Sequence, residues 1–184
     1  MAKTTRELID ALLTAGVNEM TLLDIGGGLG AIQHELLAAG ARQATHVEAS
    51  SAYLDAARKE SQWRNIEEQI SFMYGDFVSL APEIPVVDIV TLDRVVCCYD
   101  DMPALINLSA ARAGKLYGMV FPRDRWLFRL LLPIVNFFIR LTKSPFRIFL
   151  HQTDDVDRIV RDQGLELQFH RRSFFWQIVV YARQ

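Results

Sequence analysis

A glycine-rich segment near the N-terminus constrains the fold of this chain more than any other feature. Residues 22–31 read LLDIGGGLGA, in which an apolar run meets an acidic residue and then the glycines Gly26, Gly28 and Gly30. Glycine allows a sharp turn from a strand to a helix, and a Cβ at these positions would block the turn or the approach of a ligand. The helix expected from Ala31 directs its unpaired N–H groups into the same place. The segment therefore predicts a strand, a tight turn and a helix around a nucleotide-cofactor site.

Strand and helix patterns alternate along the rest of the chain. The apolar runs expected as strands after the first cover residues 44–47, 70–74, 86–93, 115–121, 165–171 and 174–182. The segments expected as helices cover residues 5–14, 32–39, 52–65, 103–113 and 153–163, the last with Thr153 as its N-cap. Alternation of this kind gives a parallel sheet with helices on both faces, whereas two closing strands joined by a short turn must be antiparallel. We therefore predict an α/β, Rossmann-like, seven-stranded mixed sheet that is mostly parallel with an antiparallel C-terminal strand.

The composition is that of one globular domain spanning residues 1–184. Of the 184 residues, 51% are apolar, which is enough for a large core. The net charge of −2 does not favour nucleic acid as a partner. The two cysteines, Cys97 and Cys98, are adjacent and adjacent cysteines seldom pair, so we expect a reduced, cytoplasmic protein. The sequence shows no Cys or His cluster with metal-site spacing, and its N-terminus lacks a signal-peptide core.

Acidic residues accompany the first three predicted strands. Asp24 precedes the glycines, Glu48 ends the second strand, and Asp76 follows the third with Phe77 beside it. The glycines alone leave two cofactor classes open, because Gly26, Gly28 and Ala31 also satisfy the dinucleotide fingerprint G-x-G-x-x-G/A. A carboxylate accepts hydrogen bonds without donating any, which suits a pair of ribose hydroxyls or an exocyclic amine.

This series resembles the class I S-adenosylmethionine-dependent methyltransferases over the whole chain. The resemblance implies S-adenosyl-L-methionine as the cofactor, with the glycine loop under its methionine part. It also implies that Glu48 binds the ribose hydroxyls and that Asp76 meets the adenine amino group. We therefore predict eight cofactor-binding residues: Asp24, Gly26, Gly28, Gly30, Glu48, Asp76, Phe77 and Asp93.

The end of the fourth predicted strand concentrates reactive side chains. Residues 92–101 read LDRVVCCYDD, and ligands of such sheets bind beyond the carboxyl ends of the strands. Asp93 is a candidate for contact with the methionine end of the cofactor or with the substrate, and the alternative is a carboxylate paired to Arg94 or capping a turn. For Cys97 and Cys98 we expect the buried, structural role that is common for free cysteines.

Residues 122–151 form an apolar and basic insert. Its centre, WLFRLLLPIVNFFIRL at 126–141, is too short and too often interrupted to span a membrane. Against the single acid Asp124, the cations in the insert are Arg123, Arg125, Arg129, Arg140, Lys143 and Arg147. An apolar surface rimmed by cations suits a greasy, acidic substrate or an anionic membrane surface, so we predict a substrate cover or an interfacial element. A buried helix pair whose arginines reach solvent and a dimer surface are the alternatives.

Parts of the chain also resemble the magnesium-protoporphyrin O-methyltransferase family. The similar segments are 92–101, FPRDRW at 121–126 and SPFRIFLH at 144–151. In that family a histidine just ahead of the helix after the insert is implicated in catalysis, so the resemblance implies a catalytic role for His151. A hydroxyl or amine acceptor needs a base, which the reference pKa of histidine suits, whereas a carboxylate acceptor needs none. The alternative for His151 is a cap or surface residue.

These observations favour an enzyme that O-methylates a small, apolar, possibly anionic acceptor. The alternative is a catalytically inactive S-adenosylmethionine-binding partner or regulatory protein, because intact cofactor residues do not establish chemistry. Length, Asp76 and the closing strand pair disfavour a nicotinamide-dependent oxidoreductase. The acidic pI of about 6.1 and the absence of an N-P-P-Y or D-P-P-Y sequence after the fourth strand disfavour a nucleic-acid methyltransferase. Oligomeric state stays open, and peripheral membrane contact is compatible with the insert.

Overall fold

The structure, a computed structural model, describes residues 1–141 and 147–184, with the side chains of residues 127–131 excepted. Two of the predicted cations fall outside this description, namely Lys143 and the side chain of Arg129. So do the first three residues of the segment 144–151.

Seven strands and seven helices follow one another in the described residues. The strands are β1 (Thr21–Ile25), β2 (Gln43–Glu48), β3 (Ile70–Tyr74), β4 (Val87–Asp93), β5 (Ala113–Pro122), β6 (Leu165–Arg172) and β7 (Trp176–Arg183). The helices are α1 (Lys3–Ala15), α2 (Ala31–Ala38), α3 (Ser51–Trp63), α4 (Phe77–Leu80), α5 (Met102–Ala110), α6 (Trp126–Leu141) and α7 (Thr153–Asp162). Every predicted strand and helix is confirmed, with bounds that shift by at most three residues, and α4 and α6 are additional helices.

The strands form one sheet in the order β3-β2-β1-β4-β5-β7-β6. The pairs from β3 to β5 are parallel, and β7 runs antiparallel to both β5 and β6. The predicted mixed sheet is therefore confirmed. The strand order reverses between β1 and β4, and in such sheets the crevice at the carboxyl ends of the strands beside this reversal is where ligands bind.

Two apolar cores lie on the two faces of the sheet. On one face α1 and α2 contribute Leu8, Leu12, Ile32 and Leu36. On the other face the buried side chains of α5 and α7 include Met102, Leu105, Val156 and Val160. The central strands are buried on both faces, which explains the nearly continuous apolar runs in β1 and β4.

The predicted N-cap of α7 is wrong. The helix begins at Thr153, its N-cap is Gln152, and no side chain caps it. The Thr153 hydroxyl instead accepts a hydrogen bond of 2.8 Å from Gln177 Nε2 on β7. The Thr153 hydroxyl therefore contacts β7 and does not cap the helix.

Candidate functional site

The glycine loop, residues 26–30, turns from β1 into α2 with left-handed backbone at Gly26, Gly28 and Gly30. A Cβ at Gly26 would lie 2.6 Å from Val95 Cγ2 in the turn after β4, so packing excludes a side chain there. A Cβ at Gly28 would meet no heavy atom of the described residues within 4 Å. The loop is thus closed on the side of β4 and open at Gly28.

Glu48 ends β2 and holds the loop from the neighbouring strand. Its Oε2 accepts a hydrogen bond of 3.0 Å from the Gly28 N–H. Its Oε1 accepts one of 2.8 Å from the Ser50 N–H. Glu48 is 9% exposed, so it is nearly buried beside the loop.

Asp24 lies beneath the loop and is 1% exposed. Its Oδ1 accepts a hydrogen bond of 2.8 Å from the Thr91 hydroxyl on β4, and its Oδ2 has no hydrogen-bond partner among the described residues. Burial raises the pKa of this carboxyl to about 7; the Thr91 bond opposes that rise, and the charges of Asp93 and Glu48 add to it. A buried acid with one oxygen unsatisfied is a site for a hydrogen-bond donor or a cation.

A second buried polar layer supports the loop from below. His46 on β2 lies 3.0 Å from Gln33 Oε1 through its Nδ1, and both side chains are 0% exposed. A Cβ at Gly27 would come within 2.7 Å of Asp24 Oδ2 and of the His46 ring. Burial lowers the pKa of His46 to about 4, so its ring is neutral at physiological pH. The sequence does not predict this layer, because a histidine in a strand pattern carries no local signal of its partner.

Asp76 follows β3, and its side chain contacts the turn after β4. It caps α4 by accepting a hydrogen bond of 3.1 Å from the Ser79 N–H through Oδ2. Its Oδ1 accepts one of 2.6 Å from the Tyr99 hydroxyl. Burial is the main cause of a raised pKa at Tyr99, and the Asp76 carboxylate adds to it. The phenol therefore stays protonated and can donate the hydrogen bond. Phe77 is 4% exposed and packs in the core beside the acid.

His151 lies against the same turn. Its Nε2 is 2.9 Å from the Tyr99 carbonyl oxygen. Since a carbonyl only accepts, Nε2 carries the hydrogen and Nδ1 keeps the lone pair of the neutral ring. The Phe149 N–H donates to the Cys97 carbonyl at 2.7 Å, and the rings of Phe149 and His151 stack. Residues 149–151 therefore run alongside residues 97–99 and position the histidine.

Helix α6 is tied to this segment through one side chain. Asn136 Nδ2 donates to the Ile148 carbonyl at 2.8 Å, and Asn136 Oδ1 accepts from the Ile148 N–H at 3.0 Å. The two bonds connect α6 to the end of the insert, where His151 lies.

Asp93 is paired within the protein. Its carboxylate oxygens lie 3.0 and 3.1 Å from Arg94 Nε and Nη2, and its Oδ2 also accepts from the Thr5 hydroxyl of α1. This is the alternative that the sequence analysis left open for Asp93. The Thr5 contact joins residues 88 positions apart and has no signal in the sequence.

The two thiols differ in exposure. Cys97 is buried, as expected, but Cys98 is exposed, so the expectation of a buried Cys98 is wrong. Their sulfur atoms are 3.7 Å apart. The hydrogen bond from Cys97 stabilises the Cys98 thiolate and lowers the pKa of Cys98 to about 7.

A glycine turn after β1, a buried acid beneath it and acids after β2 and β3 define a nucleotide-cofactor enzyme of the α/β class. The sequence matches the methyltransferase domain family over residues 23–120, more than half of its length, and the chain belongs to this family. It is a methyltransferase of the class that uses S-adenosylmethionine. No curated protein matches the sequence.

Solved structures share the fold at low sequence identity. Magnesium protoporphyrin IX methyltransferase from Synechocystis PCC 6803, with SAH bound, matches with a TM-score of 0.78 and 20% identity over 99% of this chain and 83% of that chain. An O-methyltransferase family protein from Burkholderia thailandensis matches with a TM-score of 0.75 and 18% identity over 98% and 56%. The YcgJ protein from Bacillus subtilis matches with a TM-score of 0.77 and 15% identity over 97% and 99%.

Proposed function

We propose that this chain transfers the methyl group of S-adenosylmethionine to an oxygen atom of a small, apolar, anionic acceptor. The observation that carries the proposal is the position of His151. Its ring is held by the carbonyl of Tyr99, and the hydroxyl of the same tyrosine is held by Asp76, a predicted cofactor residue. One residue therefore couples a candidate base to the candidate cofactor site.

The residues in and around the glycine loop fit this cofactor. Asp24 Oδ2 is a buried acceptor without a partner in the described part of the chain, which suits the ammonium group of the methionine part. The open space at Gly28 lets a ligand approach the backbone. Glu48 would accept from the ribose hydroxyls and Asp76 from the adenine amine. The other proposed cofactor residues are Gly26, Gly30, Phe77 and Asp93.

The protein contributes alignment and a proton acceptor. Bound S-adenosylmethionine supplies an electrophilic methyl group on a sulfonium. Transfer is an in-line displacement, so holding the acceptor oxygen in line supplies much of the rate. We assign His151 Nδ1 as the atom that takes the proton of a hydroxyl acceptor. Asp93 and its partner Arg94 would orient the acceptor, since Asp93 ends β4 and Arg94 follows it at the same edge of the sheet.

The insert supports an apolar acceptor with an acidic group. The described part of α6 is largely apolar, and arginines flank it. The Synechocystis structure is that of an enzyme acting on magnesium protoporphyrin IX, so porphyrins belong in the first panel of acceptors. We propose that residues 1–184 act as one methyltransferase domain with residues 122–151 as the substrate cover. Both cysteines are free, which suits a cytoplasmic location.

Two measurements test the proposed function. Calorimetric titration with S-adenosylmethionine, S-adenosylhomocysteine and NADH in parallel should show micromolar binding of the two sulfur compounds alone. Transfer of a labelled methyl group is then measured on apolar carboxylates, phenols and porphyrins. A base-labile product identifies an ester and a stable product an ether. Cofactor binding with no transfer to any acceptor would contradict the proposal and support the inactive, regulatory alternative.

A further inference from the structure

Helix α6 turns an apolar face to solvent. Ile134, Phe137, Phe138 and Leu141 follow i, i+3, i+4, i+7 spacing and are 54 to 63% exposed. The residues on the opposite side of the described turns are only half-exposed, and among them Asn136 binds the segment before His151. A surface helix ordinarily places its apolar stripe on the core. The orientation of α6 therefore leaves an apolar stripe without a covering layer in the described structure.

The tip of the β6–β7 hairpin lies beside the start of α6 and adds a further exposed aromatic side chain. Phe174 at its tip is 70% exposed, and Trp126, the first residue of α6, is 72% exposed. Arg123 ties the tip down: its N–H donates to the Phe175 carbonyl and its Nη1 to the Ser173 carbonyl, each at 2.8 Å. The Arg125 guanidinium lies 5.0 Å from the centre of the Phe174 ring. We call the exposed apolar residues the α6–hairpin surface: Trp126, Ile134, Phe137, Phe138, Leu141 and Phe174.

The charge of the insert that carries most of this surface is predominantly positive. The insert, residues 122–151, contains six cationic side chains and one acidic one, a net charge of +5 in a chain whose net charge is −2. Two copies paired about a twofold axis would bring these cations together, which disfavours a second copy as the occupant. An exposed apolar stripe flanked by arginines matches the acyl and headgroup layers of an anionic bilayer.

The dimensions of α6 determine how it would meet the bilayer. Its 16 residues span about 24 Å, less than the roughly 30 Å of a hydrocarbon core. No helix among the described residues has the length and apolarity of a membrane span. An amphipathic helix of this kind lies in the plane of the interface.

We propose that the α6–hairpin surface docks on an anionic lipid bilayer, with α6 lying in the interfacial plane and Arg140 facing the headgroups. The inference goes beyond the proposed function and does not depend on it, because none of the residues of this surface is a proposed cofactor or catalytic residue. Docking places the bilayer next to the insert, through which an apolar acceptor would enter.

Vesicle flotation tests the docking directly. The full chain is mixed with phosphatidylcholine vesicles, or with vesicles in which about one third of the lipid is phosphatidylglycerol. We expect binding to be at least about tenfold tighter with the anionic vesicles and to weaken as salt is raised. Equal binding to both vesicle types would overturn the anionic-lipid assignment. A chain that stays in the bottom fraction with both would overturn the docking itself.

Matched variants distinguish binding through this surface from nonspecific binding to lipid. The double variant Phe137→Ser, Phe138→Ser should lose vesicle binding by about tenfold or more, whereas Trp63→Ser, which removes a side chain 77% exposed at the end of α3, should keep it. Arg140→Gln should weaken binding, and Arg158→Gln on α7 should not. Circular dichroism and cofactor titration verify that the variants fold. Unchanged binding by the folded double variant would contradict the proposal, as would a dimer that the double substitution dissociates.

Discussion

His151 and Asp24 owe their chemical character to different surroundings. His151 is half-buried, and a backbone carbonyl determines which ring nitrogen carries the hydrogen. Asp24 is buried, and one of its oxygens has no partner in the described structure. The first arrangement favours proton transfer, and the second favours binding of a cation.

His151→Ala should lower kcat on the order of 100-fold for a hydroxyl acceptor, because the acceptor loses its base. The cofactor Kd should stay nearly unchanged, since the His151 side chain contacts a backbone carbonyl and no predicted cofactor residue. Steady-state kinetics and calorimetry give the two values. His170→Ala is the control, because the His170 ring binds Gln177 between β6 and β7. Turnover unaltered by His151→Ala on a hydroxyl acceptor would remove His151 from the mechanism.

Cofactor affinity should rise as pH increases through 7. The pKa of Asp24 is raised to about 7, so the carboxyl is neutral below that pH and carries the charge that attracts an ammonium above it. The stability of the free protein has the opposite trend: a pKa raised by folding means that stability is present at low pH and is lost as pH rises through 7.

Calorimetric titration and urea unfolding between pH 5.5 and 8.5 measure the two trends. Asp24→Asn should bind the cofactor weakly at every pH, and its stability should vary less with pH than that of the parent chain. A parent chain whose affinity is the same across the range would show that Asp24 does not supply the charge.

At the scale of elements, the glycine loop and α6 illustrate two degrees of local control. The loop needs left-handed backbone at three glycines, a demand that the sequence displays directly. The sequence shows the apolar pattern of α6 equally plainly, but it does not show whether the apolar face points to the core or to solvent. The alternative of a buried helix pair is not found among the described residues, because the stripe of large side chains on α6 is exposed.

Gly26→Ala and Gly28→Ala should distinguish a glycine that is needed for packing from a glycine that leaves room for a ligand. Both positions have left-handed backbone, so each substitution costs about 1 kcal/mol of stability in strain. Gly26→Ala adds a clash with Val95 and should cost roughly 1 to 3 kcal/mol more. Gly28→Ala should fold well and lose cofactor affinity. Urea unfolding and titration measure both effects, and equal stability of the two variants would refute the packing argument.

At the scale of the whole molecule, the sheet order gathers residues that are distant in the chain. The reversal between β1 and β4 places the glycine loop against the turn after β4, where Val95 contacts Gly26. Residues from α1, β4 and the insert then meet at the same edge. A ligand that binds there contacts several elements at once and should stabilise them together.

Saturating S-adenosylmethionine should therefore raise the thermal midpoint of the whole chain in one transition. At a concentration of about 100 times Kd the added stability is about 2.7 kcal/mol by mass action. NADH at the same concentration should leave the midpoint unchanged. Differential scanning fluorimetry compares the two, with Asp24→Asn as the control that should respond weakly. A shift with NADH alone would contradict the cofactor assignment.

The fold was predictable to a larger extent than the contacts of the site. The mixed sheet and its antiparallel strand were predicted correctly, since apolar periodicity and loop length are local properties. In the structure Glu48 contacts the glycine loop at Gly28, and Asp24 lies beside Gly27. The pairing of Asp93 with Thr5 and the exposure of Cys98 escaped prediction, because both depend on how remote segments pack.

The sequence by itself determined the strand-turn-helix unit at the glycines, the alternation of elements and the family. The first two follow from backbone conformation and from periodicity within one segment, and the family follows from the resemblance of the motif series. Only the tertiary structure decided that Tyr99 connects Asp76 to His151 and that the apolar face of α6 points outward. Partners such as these lie up to 52 residues apart, and the distances between them are set by the packing of the sheet and its helices.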